Sequence, residues 1–220
     1  MCDLPHRAPT ATVPAVTPPP RPTTEVDDGL RQSLLDAASE LLAEEGPGAL
    51  TVRRISERAG CSTMGVYSHV SGKEGVVDAL FADGFERLHA GMDRIRRTDD
   101  PLADLRRCGA SYRAFAMANP THYGVMFGRA VPEFEASEAS VEIAHAALGL
   151  LEARVQRCLD AGVFDPSHGD AVGIAHGVWG TVHGLVSLEL AGVGREPHPA
   201  QRYERTLEAL YAGLAQPLAR

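Results

Sequence analysis

The sequence is poor in aromatic residues and nearly devoid of lysine. Aromatic residues make up 5% of its 220 residues, and no alternation of apolar and polar residues is long enough for a sheet. Alanine, leucine, arginine and glutamate dominate instead, and these residues favour helices. We therefore predict an all-α fold. The only lysine, Lys73, stands among twenty arginines.

Closely spaced cysteines and a leader segment are also lacking. Cys2, Cys61, Cys108 and Cys158 form no zinc signature and no disulfide framework, so we expect reduced thiols, no metal and no cofactor. The amino terminus has no basic segment followed by an apolar run, which predicts a cytoplasmic protein without a signal peptide. Residues 171–188 carry no charge, but their four glycines and two histidines favour a helix buried all round over a membrane span.

The composition changes sharply along the chain. Residues 1–26 hold seven prolines, which predicts a disordered tail. Helical spacing of apolar residues then begins at Asp27. Residues 27–75 contain short helical patterns with tight turns, and residues 76–220 contain longer ones. We expect a small amino-terminal domain, called the reader domain below, and a larger helical carboxy-terminal domain.

Two short helices in the reader domain are joined by a tight turn. Thr51 is a good N-cap for a helix over residues 52–59, and Ser62 is a good N-cap for one over residues 63–70. Two helices of about two turns each, joined in this way, are typical of a helix-turn-helix.

A basic segment lies within this acidic chain. Residues 51–73 carry a net charge of +3, whereas the whole chain carries −8. Such a segment indicates a local contact with a polyanion, although an ordinary solvated face has the same pattern. The spacing of Ser71 and Glu74 predicts a capping box that opens a long fourth helix, with Lys73 in its first turn.

The third predicted helix has an uncharged outer face. At 100° per residue, Val66 and Val70 face the core, whereas Met64, Gly65 and Ser68 face away from it. Hydroxyl and methyl groups on an outer face suit the major groove of DNA, where they meet base edges and thymine methyls. The glycine would let the helix backbone approach the DNA closely.

These residues carry a resemblance to a known family. Residues 50–62, followed by Val-Tyr-Ser-His-Val-Ser-Gly-Lys-Glu at 66–74, resemble the DNA-binding domain of TetR-type transcriptional repressors across residues 28–75. The resemblance implies an all-helical homodimer, a palindromic double-stranded DNA operator, a small-molecule effector and no membrane. It implies DNA contacts from ten residues: Thr51, Arg53, Ser62, Thr63, Met64, Gly65, Tyr67, Ser68, His69 and Lys73.

The carboxy-terminal domain carries a second resemblance. Residues 119–127 and the Trp-x-x-x-His-Gly pattern at 179–184 resemble a TetR subgroup named for its Trp, His and Gly residues. Its aromatic, methionine and histidine side chains could line an effector pocket or only pack the core: His122, Tyr123, Met126, Phe127, His176, Trp179 and His183. No carboxylate or cysteine shares the helix face of His176 and His183, so we expect hydrogen-bonded histidines and no metal site.

Four glycines recur along one stripe of the uncharged segment. Glycines let another helix approach closely, so we expect a dimer interface formed with residues 199–215. Packing within one chain is the alternative. The predicted interface residues are Gly173, Gly177, Gly180, Gly184, Leu207, Leu210, Tyr211 and Leu214.

Taken together, the sequence predicts a repressor that a small, largely apolar ligand releases from its operator. The alternative is a dimeric ligand-binding or scaffold module whose reader domain does not bind DNA. An enzyme that uses Cys108 or Cys158 is disfavoured because no nucleophile motif surrounds either residue, so we expect no catalytic residues.

Overall fold

The computed structural model describes residues 23–128, 130–193 and 197–218, and the prediction of an all-α fold is confirmed for this part of the chain. Its helices are α1 (Thr23–Glu45), α2 (Val52–Ala59), α3 (Thr63–Val70), α4 (Gly72–Asp93), α5 (Pro101–Ala118), α6 (Pro120–Phe127), α7 (Glu138–Asp160), α8 (Ala171–Leu190) and α9 (Pro199–Leu214). Short 3-10 turns follow α1 and α7.

The predicted proline-rich tail lies outside the described residues up to residue 22. Helix α1 begins at Thr23, four residues before the position where helical spacing becomes visible in the sequence. Residues 23–26, which the sequence assigns to the tail, are therefore helical.

The bounds of α2 and α3 are those predicted from the sequence, because local signals set them. The hydroxyl oxygen of Thr51 accepts a hydrogen bond from the Arg54 backbone N–H at 3.3 Å, and that of Ser62 accepts one from Gly65 N–H at 3.2 Å. Gly60 ends α2 with a φ of 68°, in the left-handed region that glycine adopts readily.

The junction of α3 and α4 differs from the prediction of a capping box. Ser71 has a φ of 54°, and its side chain makes no capping hydrogen bond. An N-cap residue is normally extended, so this left-handed residue cannot form the box expected with Glu74. Gly75 explains the tight turn: a Cβ atom there would lie 1.7 Å from the carbonyl oxygen of Val70.

Two buried clusters of apolar side chains form the core, and α4 contributes to both. In the reader domain, Val76, Val77 and Leu80 of α4 pack with side chains of α1, α2 and α3. Phe85 and Leu88, farther along α4, belong to the larger cluster formed with α5 to α9. The packing of the reader domain therefore extends beyond residue 75, where the sequence pattern ended it.

Helix α6 also spans the two clusters. Val125 packs into the reader cluster, whereas Tyr123 and Met126 pack into the larger one. Helix α6 fits closely on α4, because a Cβ atom at Gly84 would lie 2.5 Å from the Met126 sulfur. A displacement of α6 would therefore disturb the packing of both clusters.

The apolar face of α9 packs inside its own chain, which corrects part of the predicted dimer interface. Leu207 and Tyr211 are 4% and 2% exposed, and both lie close to Gly109 of α5. Leu210 and Leu214 also pack against the same cluster. An amphipathic pattern identifies the face that is buried but not the surface that buries it.

Only one face of α8 is buried, whereas the sequence indicated burial all round. Its inward side chains pack into the larger cluster, but Val172 and Leu188 are 51% and 54% exposed. Three glycines of the predicted stripe, Gly173, Gly177 and Gly180, are exposed as well. By length and composition, α8 is the one helix of the described residues that could cross a membrane, a test that core helices also pass.

Candidate functional site

The outer face of α3 projects from the reader domain. Met64 is 73% exposed and Tyr67 is 58% exposed, which is unusual for side chains of this size, and Thr63 and Ser68 are exposed beside them. The structure thus gathers these four predicted DNA-binding residues on one surface, as the helical periodicity indicated.

The two capping hydroxyl groups stand at the amino ends of α2 and α3. Thr51 and Ser62 are exposed, and each hydroxyl oxygen already accepts a hydrogen bond from its own helix. A hydroxyl group has one donor hydrogen in addition to its acceptor sites, so each can still donate to an oxygen of a ligand. An anion is favoured there by the positive end of the helix dipole.

Ser68 and His69 are engaged within α3. The Ser68 hydroxyl lies 3.1 Å from the carbonyl oxygen of Gly65 and 2.9 Å from His69 Nδ1, which itself lies 2.9 Å from that carbonyl. These contacts fix the two side chains along the helix. They suit a positioning role better than an extended reach to a base.

Gly65 lies at the flank of α3 and not at the centre of its outer face, where the sequence placed it. A Cβ atom there would be 3.6 Å from Cys61 Sγ and 3.7 Å from a methyl group of Leu30. Both distances are ordinary van der Waals contacts. Packing therefore does not require a glycine at this position, and a Cβ atom there would point towards α1.

Much of the positive charge predicted for this surface is neutralised by α1. Arg54 forms two hydrogen bonds with Glu45, and Arg58 contacts Glu40 at 3.1 Å and Glu44 at 3.0 Å. These ion pairs hold α2 against α1. The sequence pattern could not reveal them, because the partners lie nine or more residues away along the chain.

Within residues 51–73, Lys73 is the one cation without an ion pair in the described part of the chain. Arg53 pairs with Glu57 one turn along α2 at 2.8 Å, whereas the exposed Lys73 has no ion pair among the described residues. The ring of Tyr67 lies over Gly72, where a Cβ atom would be 3.0 Å from it. The lysine in the first turn of α4 is thus adjacent to the end of the α3 surface.

A cavity of about 290 Å³ lies within the larger cluster. Helices α4, α5, α7, α8 and α9 supply its walls, and α4 contributes Phe81, Phe85, Leu88 and Met92. The described residues that line it include no Asp, Glu, Lys or Arg. Its polar groups come from tyrosine, histidine, tryptophan and cysteine side chains, so the cavity suits an uncharged, largely apolar molecule.

Two of the seven predicted pocket residues line this cavity, namely His176 and Trp179. The sequence missed the contribution of α4, α5 and α7, which supply most of the walls. The only sequence signal for these walls was the apolar stripe of each helix, and a core without a cavity has the same stripes. Five predicted residues lie outside the lining: His122, Tyr123, Met126, Phe127 and His183.

These five residues have structural contacts of their own. His122 Nε2 lies 3.0 Å from a carboxylate oxygen of Asp83, which joins α6 to α4. The Tyr123 hydroxyl lies 2.7 Å from His183 Nδ1, and Phe127 meets the His183 ring edge-on at 4.8 Å between ring centres. Burial lowers the pKa of His183, so a neutral imidazole is favoured in this network.

Family models match both domains. Residues 34–80 match the model for bacterial regulatory proteins of the tetR family, and residues 105–210 match the tetracyclin repressor-like carboxy-terminal domain. This chain belongs to the TetR family. Its members are DNA-binding transcription regulators and not enzymes.

Curated relatives resemble this TetR-family chain over limited segments. It is 43% identical over 65 residues to the HTH-type transcriptional repressor KstR2 of Rhodococcus jostii, covering 30% of this chain and 32% of that protein. It is 39% identical over 59 residues to the class D tetracycline repressor protein of Escherichia coli, covering 27% of each. The chain thus spans about a third or less of the length of these two relatives.

Solved structures resemble the TetR-family chain over most of its length. A protein of unknown function from Rhodococcus sp. RHA1 is 28% identical with a TM-score of 0.74, covering 85% of this chain and 96% of that one. The transcriptional regulator FadR from Bacillus subtilis, solved in complex with stearoyl-CoA, has a TM-score of 0.68, covering 86% of this chain and 99% of that one. At 16% identity, the second likeness concerns the fold alone.

Two buried cysteines of this TetR-family chain, Cys108 and Cys158, lack the properties of nucleophiles. Cys108 and Cys158 are 2% and 0% exposed, and burial raises the pKa of each to about 11. Both are therefore protonated at neutral pH, whereas the thiolate is the reactive form.

Proposed function

We propose that this chain is a homodimeric repressor that binds a palindromic DNA operator through α3 and releases it when a small, largely apolar molecule occupies the cavity. The observation that carries the proposal is the position of α4. This one helix bears Lys73 in its first turn and forms a cavity wall from Phe81 to Met92. A ligand that shifts α4 would move the phosphate contact directly.

On the DNA side, the exposed face of α3 enters the major groove. Thr63 and Met64 approach base edges, while Thr51, Tyr67 and Lys73 contact the phosphate backbone. The remaining predicted contacts support this arrangement. Arg53 in the first turn of α2 and Ser62 at the N-cap of α3 would reach DNA from beside that face. Gly65, Ser68 and His69 would act by holding α3 in position.

A second link joins the cavity to the reader domain. The Asp78 carboxylate of α4 accepts hydrogen bonds from the Ser137 backbone N–H at 2.8 Å, the Ser137 hydroxyl at 2.9 Å and the Ser140 hydroxyl at 2.8 Å. These serines open α7, whose next turns line the cavity from Val141 onward. Movement of α7 on ligand binding would therefore reach α4 at Asp78, about one and a half turns from Lys73.

The dimer forms through the exposed glycine face of α8, Gly173, Gly177 and Gly180, with Gly184 at its edge. Among the residues that the structure describes, none lies within 4 Å of a Cβ atom added at three of these positions, which leaves room for a second copy. The pattern of Trp179, His183 and Gly184 supports assignment to the Trp-His-Gly subgroup. The regulator would act in the cytoplasm, where the operator DNA lies.

A scaffold module without DNA affinity is the second candidate. One observation favours it: Glu40, Glu44 and Glu45 neutralise Arg54 and Arg58, which leaves little net positive charge beside α3. Nonspecific DNA affinity depends on such charge.

Footprinting on the DNA upstream of the chain's own gene separates the two candidates. The repressor should protect a palindrome of two half-sites about one helical turn or a multiple of it apart, and the protection should weaken steeply with salt. A protein that protects no palindrome even at low salt is not the proposed repressor. Retained ligand binding in that case would favour the scaffold module.

A further inference from the structure

The buried tyrosines of the larger cluster differ in their hydrogen bonding. The Tyr203 hydroxyl donates to the carbonyl oxygen of Gly109 at 2.6 Å, and the hydroxyls of Tyr112 and Tyr123 lie 3.3 Å apart beside His183. The Tyr211 hydroxyl has no partner within the described part of the chain, although the residue is only 2% exposed. A buried hydroxyl without a partner is rare, because its desolvation is not offset.

The Tyr211 side chain lines the cavity, and its unpartnered hydroxyl lies against α5. A Cβ atom added at Gly109 would be 3.7 Å from the Tyr211 oxygen, so that oxygen lies over the bare backbone of α5. Gly109, Cys108 and Tyr211 all line the cavity. Burial raises the pKa of Tyr211, so the hydroxyl stays protonated and is able to donate.

The size of the cavity and the chemistry of its walls restrict what it can hold. A cavity of ~150 Å³ lined by apolar side chains binds benzene, so a volume of about 290 Å³ has room for roughly two fused six-membered rings. Aromatic side chains, including Phe85, Tyr112 and Trp179, offer ring faces. The cavity lining has no charged partner for a carboxylate, a phosphate or an ammonium group.

We propose that the effector is an uncharged two-ring molecule bearing a carbonyl or ether oxygen, and that this oxygen accepts a hydrogen bond from Tyr211. The inference rests on the proposed function, because it takes this cavity to be the effector site. It adds the chemical class of the ligand and the residue that distinguishes an oxygenated ligand from a plain hydrocarbon. The hydroxyl then gains an acceptor that the described part of the chain does not provide.

The test uses 1-tetralone and tetralin, which share a ring skeleton and differ in one carbonyl oxygen. Binding to the full chain is measured by titration calorimetry, with the fluorescence of Trp179, the only tryptophan, as a second readout at the cavity wall. The wild type should bind the ketone about tenfold more tightly than the hydrocarbon. The Tyr211→Phe variant should lose that preference while binding tetralin as before.

A matched variant separates recognition from structure. Tyr203→Phe removes a neighbouring hydroxyl that is already bonded to Gly109, so it should lower thermal stability and leave the ketone preference intact. Tyr211→Phe removes an unpartnered hydroxyl, so its thermal stability should equal or exceed that of the wild type. The anionic 2-naphthoate, of similar ring size, should bind neither variant.

The outcomes distinguish the two levels of the proposal. Equally weakened binding of both probes to the Tyr211→Phe variant would mean that Tyr211 contributes only to the shape of the cavity. It would overturn the role of Tyr211 in recognition. Failure of both probes to bind a wild-type protein that still protects its operator would overturn the ligand class and leave the repressor standing. Tight binding of 2-naphthoate would overturn the requirement for an uncharged ligand.

Discussion

Lys73 carries a positive charge at a position where a cation does not stabilise the helix. It lies in the first turn of α4, where the helix dipole disfavours a cation by roughly 0.3–1 kcal/mol, and it forms no ion pair with another described residue. The residue is therefore explained better by a ligand than by stability. A DNA phosphate is the partner that its exposed position suits.

The Lys73→Ala variant should weaken binding to every DNA sequence alike and flatten the logarithmic salt dependence by about one unit, because one phosphate contact is lost. Its thermal stability should stay unchanged or rise slightly. Fluorescence anisotropy at several salt concentrations measures the slope. Lys73→Arg, which keeps the charge, is the control and should retain the wild-type slope. A changed base preference with the original slope would contradict the phosphate role.

Residue-scale signals explain where prediction from the sequence succeeded and failed. Thr51 and Ser62 are confirmed as N-caps, because a cap depends on the residue and the next three positions. The capping box at Ser71 was wrong, because Ser71 adopts a left-handed conformation in a turn where Gly75 closely approaches the Val70 carbonyl. That approach depends on how α4 packs against α3, and the spacing of residues along the sequence does not encode this packing.

At the scale of elements, helices were predictable but their partners were not. The apolar stripe of α9 was visible in the sequence. The surface on which it packs, which includes Gly109 of α5, was not. The cavity draws its walls from five helices, so no segment of sequence could outline it. The most informative element is α4, because it passes from the reader cluster to the cavity without a break.

Asp78 tests whether α7 and α4 transmit ligand binding. The Asp78→Ala variant should still bind operator and ligand, but the ligand should no longer reduce DNA affinity by the 5- to 150-fold typical of allosteric coupling. Anisotropy titrations with and without 1-tetralone give that ratio directly. The structural reason is the loss of three hydrogen bonds that tie the start of α7 to α4.

The control is Glu208→Ala, which breaks the two hydrogen bonds from Arg106 and thus a tie between α5 and α9. In this variant the ligand should reduce DNA affinity as much as in the wild type. The contact that it removes belongs neither to the α4 wall of the cavity nor to the link between α7 and α4. An Asp78→Ala protein with full coupling would show that α4 responds through the cavity wall alone.

At the scale of the whole molecule, the proposed dimer would place the open face of α8 against a second copy. Its exposed glycines alternate with apolar side chains, including Val172 and Leu188, and a palindromic operator requires two reader domains. An isologous interface places the same face of each copy against the other. Helices can approach closely there because no side chain stands between their backbones.

The double variant Gly177→Gln/Gly180→Gln should be a folded monomer. Nothing lies within 4 Å of a Cβ atom added at either site, and glutamine is a better helix former than glycine by ~1 kcal/mol per position, so the single chain accommodates both changes. Two facing helices, however, could no longer meet. Sedimentation velocity should report the monomer, circular dichroism should report unchanged helicity, and affinity for the full palindrome should fall well below that of the wild type.

The matched control for this variant is Gly149→Gln on α7, where an added Cβ atom also meets nothing within 4 Å. It makes the same chemical change on a helix outside the proposed interface, so the protein should remain dimeric with full operator affinity. A double variant that still sediments as a dimer would place the interface elsewhere. A monomer with undiminished affinity for the palindrome would instead separate DNA recognition from dimerisation, because each reader domain would then bind its half-site without help from the other.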